Sequence, residues 1–146
     1  MDVDPSLPWR QVRGEGFSRL VGPIRFARAG DNLWHAGLEI EDRHLNVGGV
    51  CHGGVLLTLA DVAMGTASHE AADGHGCATI EFGSHFLAAV KKGQTALAVV
   101  HQARRARDLS FMAAEIHAGG RLCVRASGIW KYRASARPVP SGQPRP

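Results

Sequence analysis

What this 146-residue chain lacks narrows its function first. No stretch reaches the ~18 uncharged apolar residues that a membrane helix requires. The opening MDVDPSLPWRQVR is acidic and proline-punctuated where a secretory signal is basic and then apolar. A cytoplasmic protein with no membrane partner is the expectation. The three cysteines, Cys51, Cys77 and Cys123, are odd in number and widely spaced, which fits neither a disulfide scaffold nor a paired zinc site. They read as reduced core thiols. Eight histidines show no i, i+4 pair with an intervening glutamate, and His44 with His52, or His69 with His75, has no third ligand nearby in sequence, so no metal is expected. There is no Gly-x-Ser-x-Gly elbow for a serine nucleophile. No glycine pattern forms a dinucleotide or P-loop fingerprint either, so no organic cofactor is expected.

What is present is the mixture of an ordinary globular domain, 45% apolar and 21% charged, at a length that suits one core. The net charge of +4 is unevenly placed. Residues 1–103 carry 8 basic and 11 acidic side chains, whereas residues 104–146 carry 9 basic and 2 acidic, which suits an anionic partner. Nucleic acid is disfavoured as that partner, because Phe111 is the only aromatic near the basic run.

Three regions follow from the pattern of breakers. Residues 1–30 hold Pro5, Pro8, Gly14, Gly16, Gly22, Pro23 and Gly30 and read as an N-terminal extension, with a short helical turn or strand within Ser18–Arg28. Residues 31–133 read as the folded domain. Residues 134–146 carry four prolines in thirteen positions and read as a disordered tail.

Within the domain, apolar residues at nearly every second position predict a strand over Leu33–Ile40. A helix is predicted over His52–Ala72, where Leu56, Leu59, Ala60, Ala63 and Ala67 form an apolar stripe and Thr58, Asp61, Gly65 and Ser68 a second face of mostly small residues. Strands follow over Ala78–Leu87, Gln94–Arg104, Leu109–Ala118 and Leu122–Tyr132, with turns at Lys92-Gly93, Arg107-Asp108 and Gly119-Gly120. Short links make such neighbours antiparallel. The expected fold is α+β, one long helix against a curled antiparallel sheet of about five strands.

Two features of the helix carry chemistry. Asp61 lies beyond the first turn, so capping does not explain it, and its apolar neighbours put it at a partly dry surface where a carboxylate works as a base. The alternative is a solvated acid on the exposed side. His52-Gly53-Gly54 opens the helix, where free amides and the positive end of the helix dipole bind a phosphate or stabilise an oxyanion, or where glycines merely make the turn. Asn46 adds an amide donor in the preceding loop.

Together, Asn46-Val-Gly-Gly-Val-Cys-His52-Gly53-Gly54 and Asp61 resemble the signature of hotdog-fold thioesterases, specifically the phenylacetic acid degradation thioesterase family. The Thr79-Ile-Glu-Phe strand, the Gly93 turn and the final Gly128-Ile-Trp strand are also similar to that family, over roughly residues 33–133. The resemblance implies a central helix wrapped by the sheet, two subunits joined into a continuous sheet, and a homotetramer made of two such dimers. It implies hydrolysis of an acyl-CoA or aryl-CoA thioester at the dimer interface without metal or organic cofactor. Asp61 would be base or nucleophile, Asn46 and the Gly53 amide of the facing subunit would polarise the carbonyl with His52 close by, and Thr79 would help hold the attacking water. Gly83-Ser84-His85 departs from the family pattern in the acyl-pocket strand. Under this reading Arg104, Arg105, Arg107, Lys91 and Lys92 form a basic rim for the phosphates of coenzyme A. Two alternatives stay open: an acyl-thioester hydratase or dehydratase, and an acyl-CoA-binding module without turnover.

Overall fold

The computed structural model describes residues 3–13 and 16–133; the predicted tail, 134–146, lies outside the described residues. Its centre is the helix α2, Gly53–Ala71. The whole predicted stripe, Leu56, Leu59, Ala60, Ala63 and Ala67, is buried, and Met64 and Ser68 are buried with it. Three alanines in the stripe let the sheet approach closely. Ser68 was grouped with the polar face, yet its hydroxyl is buried and donates to the Tyr132 hydroxyl at 3.2 Å.

The strands are β1 (Arg10–Gln11), β2 (Arg25–Gly30), β3 (Leu33–Glu39), β4 (Cys77–Phe86), β5 (Thr95–Ala106), β6 (Leu109–Ala118) and β7 (Arg121–Tyr132), with a short helix α1 (Phe17–Val21) between the first two. They form one antiparallel sheet in the order β1-β2-β3-β5-β6-β7-β4. Every second residue of β6, from Ser110 to Ala118, turns to the helix and is buried, as period-2 patterning requires.

The sheet has seven strands rather than about five. The two extra strands come from the breaker-rich N-terminal stretch, whose prolines and glycines bound short elements instead of excluding them. β2 pairs with β3 through Phe26↔Ala36, and Phe26 is fully buried. The turns at Arg107 and at Gly119-Gly120 are hairpin turns, and both use left-handed backbone (φ 52, 54 and 75). The link through Lys92-Gly93 is different: it carries the chain from β4, at one edge, across the end of the sheet to β5 in its middle. Leu87 and Ala88 donate to Cys123 O, and Cys51 donates to Val90 O, which ties that crossing down.

Among the described residues β4 is therefore an edge strand of ten residues with one side unpaired. It exposes Ile80 (56%) and Phe86 (53%), and Leu87 follows at 54%. Such an edge is a template for another strand. Leu59 lies fully buried where helix and sheet meet. Leu59→Ala is expected to cost ~2–5 kcal/mol of unfolding free energy, read as a fall in the urea midpoint at constant m.

Candidate active site

α2 begins where the loop after a 3-10 turn, Asp42–His44, delivers His52 as the helix cap. His52 Nδ1 accepts from the Gly54 amide at 2.9 Å, and the His52 amide donates to His44 O at 2.7 Å. His44 is buried, its Nδ1 accepting from the Glu41 amide and its Nε2 donating to Val21 O, both at 2.9 Å. Val55 donates to His52 O, and the Gly53 amide, at the positive end of the helix, has no acceptor among the described residues. The ring of Phe86 covers Gly53 so closely that a Cβ there would stand 3.1 Å from Phe86 Cζ.

Asn46 is fixed by its own loop. Its Oδ1 accepts from the amides of Gly48 (2.8 Å) and Val50 (3.4 Å), and its backbone pairs with Val50. With the oxygen so engaged, the side-chain NH₂ is the end available for donation.

Asp61 and Thr79 meet: the Thr79 hydroxyl donates to Asp61 Oδ1 at 2.7 Å. Asp61 stands where two grooves join. One, of ≈ 280 Å³, runs past Leu57, Thr58 and Phe82; the other, of ≈ 730 Å³, follows Gly65, Thr66 and His69 along the helix. Asp61, Gly65 and His69 share one helix face at i, i+4 and i+8. Trp130, paired with Thr79 across β4 and β7, forms the floor of the larger groove beside Gly65.

Within one chain the predicted site falls into two halves. Asn46, His52 and Gly53 gather at the start of α2, but Asp61 is eight residues further on, ~12 Å at the helical rise of about 1.5 Å per residue. The basic rim is split as well. Lys91 and Lys92 precede β5, where Lys92 Nζ meets Asp42 Oδ2 at 2.6 Å. Arg104, Arg105 and Arg107 lie at its other end, ~33 Å away along the strand. There Arg105 donates to Ala71 O at 3.2 Å and stacks over Tyr132 at 5.1 Å.

The sequence reading missed the cations that share a groove with Asp61. Arg10, Arg13 and Arg133 line the larger groove, brought there from the N-terminal stretch and the end of β7. No local spacing links these positions; only the sheet order does. Cys51 and Cys77 contribute no reactive thiolate, since burial pushes Cys51 up to about 11 and raises Cys77.

His52 gives a test of cap against chemistry. His52→Ala is expected to cost ~1 kcal/mol of stability by losing the acceptor for Gly54, and His52→Asn, a good cap, is expected to recover most of it. Thermal melts of both variants check this, and turnover by the Asn variant reports any role of the imidazole beyond the cap.

Comparison with known proteins agrees with this fold. The model of the thioesterase superfamily matches residues 48–124, just over half of the chain and the whole of α2. A Pseudomonas aeruginosa protein named as an esterase is 29% identical over 112 residues, covering 76% of this chain and 84% of that one. A conserved protein of known structure from the same organism superposes with a TM-score of 0.75 at 28% identity, over 82% of this chain and 94% of the other. The Escherichia coli PaaI protein from the phenylacetic acid degradation operon shares the fold, with a TM-score of 0.71 at 19% identity over 80% and 83% of the two chains. A helix wrapped by an open antiparallel sheet, with a superfamily match that takes in the whole of that helix and the strands after it as far as the start of β7, makes this chain a hotdog-fold member of the thioesterase superfamily.

Proposed function

We propose that the chain hydrolyses acyl-CoA or aryl-CoA thioesters at a site shared by two copies, with Asp61 and Thr79 from one and Asn46, Gly53 and His52 from the other. The observation that carries this reading is the ~12 Å between Asp61 and the free amide of Gly53, since one carbonyl must lie about 3 Å from both the nucleophile and the oxyanion donor. The edge strand supplies a route. Thr79 and Asp61 sit beside the start of β4, and Phe86 and Gly53 beside its end. If two β4 edges pair antiparallel about a two-fold between Phe82 and Gly83, Thr79 of one copy faces Phe86 of the other, and Asp61 approaches the second copy's Gly53. The exposed Ile80 and Phe86 support the same pairing, because it covers them. The assembly is then a homodimer, and the resemblance adds pairing of such dimers into a tetramer.

At this site the Gly53 amide and the Asn46 NH₂ donate to the thioester oxygen and hold the negative charge that develops on it. As a base, Asp61 takes a proton from water while the water oxygen bonds to the carbonyl carbon, the C–S bond breaks, and that proton passes to the departing thiolate. As a nucleophile, Asp61 bonds to the carbon itself, the C–S bond breaks, and water then hydrolyses the mixed anhydride, which restores the carboxylate, frees the acid and supplies the thiolate's proton. Thr79 fixes the carboxylate by donating to Oδ1. Either of the two cation clusters flanking β5 offers a rim for the 3′-phosphate of coenzyme A, at ~1 kcal/mol or less for each exposed contact.

The test is release of free thiol from a panel of short-chain, long-chain and aromatic acyl-CoA thioesters. Turnover of at least one class is expected. Binding without thiol release would leave the module reading, and addition of water to an enoyl thioester would leave the hydratase.

A further inference from the structure

The strand that brings Thr79 to Asp61 changes phase just before it gets there. From Glu81↔Ile129 to Phe86↔Val124 the pairing of β4 with β7 is regular, and from Cys77↔Tyr132 to Thr79↔Trp130 it is regular again. Between the two stretches Ile80 is left without a partner on β7, which makes a β-bulge. On β7 the alternate buried residues Val124, Ala126, Gly128, Trp130 and Tyr132 mark the face toward α2. Directly paired residues share a face, so Phe82, Ser84 and Phe86 look toward α2 as well. An unbroken ladder would continue with Ile80 and Ala78 on that face and turn Thr79 to the far side of the sheet, since a slip of one residue exchanges the faces. The extra residue reverses the phase. Thr79 and Cys77 then point to the helix, where Thr79 donates to Asp61 at 2.7 Å and Cys77 Sγ reaches Gly65 O at 3.5 Å.

The bulge depends on what stands opposite it. A Cβ on residue 128 would lie 2.5 Å from Glu81 O, and 2.9 and 3.0 Å from Trp130 Cζ3 and Cη2. No side-chain rotation relieves a contact with a backbone oxygen. β7 has no room to retreat, because it is paired with β6 on its other side through Met112↔Gly128. The indole is held too: its opposite end lies against Gly65, where a Cβ would come within 3.1 Å of Nε1. A side chain at 128 therefore displaces the edge strand, and it does so at the carbonyl of the residue that follows the bulge.

We propose that Gly128 is a positioning residue for the reaction: it admits the β4 bulge and so aims the Thr79 hydroxyl at Asp61. This rests on the proposed hydrolysis at Asp61, to which it adds a residue that acts only through Thr79. With alanine at 128 the ladder becomes regular, Ile80 stands opposite Trp130, and Thr79 faces away from the helix.

The test moves the hydroxyl by one residue in both backgrounds, using the thioester of the panel that turns over fastest. Thr79→Val, Thr79→Val/Ile80→Thr and Gly128→Ala are each expected to lose about tenfold in kcat with KM within about twofold, because in none of them does a hydroxyl reach Asp61. Gly128→Ala/Ile80→Thr is expected to regain most of that loss, because the regular ladder presents residue 80 to Asp61. A role in folding alone would not make the same threonine useful in one background and useless in the other. Undiminished kcat in Gly128→Ala, full activity in Thr79→Val/Ile80→Thr, or no recovery in Gly128→Ala/Ile80→Thr overturns the proposal. Failure of both alanine chains to fold makes Gly128 a residue of the fold and overturns it as well. The nuclear Overhauser contact between the Thr79 methyl and the Asp61 β-protons reads the positioning without turnover. It is expected in the intact protein and absent from Gly128→Ala. Its persistence there overturns the proposal and leaves hydrolysis standing, whereas its loss, in a protein that releases thiol from no thioester, supports the positioning and overturns the hydrolytic reading.

Discussion

Asp61→Asn is expected to lower kcat by at least ~100-fold while leaving the melting temperature and assembly of the protein intact. The substitution is nearly isosteric, and the Thr79 hydroxyl, which donates to Oδ1 at 2.7 Å, still finds an oxygen acceptor in the amide. What disappears is the basic, nucleophilic carboxylate. Oxyanion donors at Gly53 and Asn46 are untouched, so KM is expected to change far less than kcat. Thr79→Val is the matching control: it keeps the carboxylate and frees its orientation, which predicts a smaller loss. Turnover by Asp61→Asn close to that of the intact protein would remove Asp61 from the chemistry and leave its hydrogen bond with Thr79 as a structural link between α2 and β4. Single-turnover hydrolysis in ¹⁸O-labelled water tests for attack by Asp61 on the carbonyl. Label in the Asp61 carboxylate requires a mixed anhydride opened by water at the Asp61 carbon, whereas a base role puts label in the product acid alone.

The elements that were legible in the sequence are those whose burial repeats with a fixed period. The stripe from Leu56 to Ala67 marks α2 to within a residue at each end, and the turn signals Arg107-Asp108 and Gly119-Gly120 bound β6 as Leu109–Ala118, the observed bounds. β1 was not legible, and β2 only as a short helical turn or strand within Ser18–Arg28, because two and six residues are too few to show a period among so many glycines and prolines. The placement of β4 was hidden for another reason. Its pattern marks a strand, but which neighbour it takes depends on the crossing through residues 87–94, and local sequence carries no record of that choice. The candidate site divides in the same way. His52, Gly53 and Asp61 lie on one helix, so their spacing was visible, and the resemblance added Thr79 before any contact was known. Arg13, Trp130 and Arg133 come together only because β7 pairs with β4 and the N-terminal stretch packs along α2. The basic run that the sequence made conspicuous, Arg104 to Arg107, lies instead at a hairpin beyond the end of the helix.

The second large effect is recovery of activity on mixing two inactive proteins. Asn46→Ala removes an oxyanion donor, which typically costs about 10²–10³ in kcat, and Asp61→Asn removes the base. If each site takes its Asp61 from one copy and its Asn46 from the other, a dimer of one variant of each kind has one site with both defects and one with none. Random exchange at equal concentrations makes half of the dimers mixed, and half of the sites in those are intact. Activity is then expected to reach about a quarter of that of the unmodified protein, far above either parent. Exchange itself is followed independently, by mass spectrometry of isotopically labelled copies, so that a failure to mix is not mistaken for a failure to complement. A fully exchanged mixture no more active than its parents would mean that both residues serve the same copy. Eight residues of rigid helix between Gly53 and Asp61 argue against that outcome, because ~12 Å is too far for one carbonyl to bridge. Substitution of the β4 edge supplies the converse: Ile80→Lys places a charge on the exposed strand where two copies are proposed to meet, and is expected to yield monomers that fold and do not turn over.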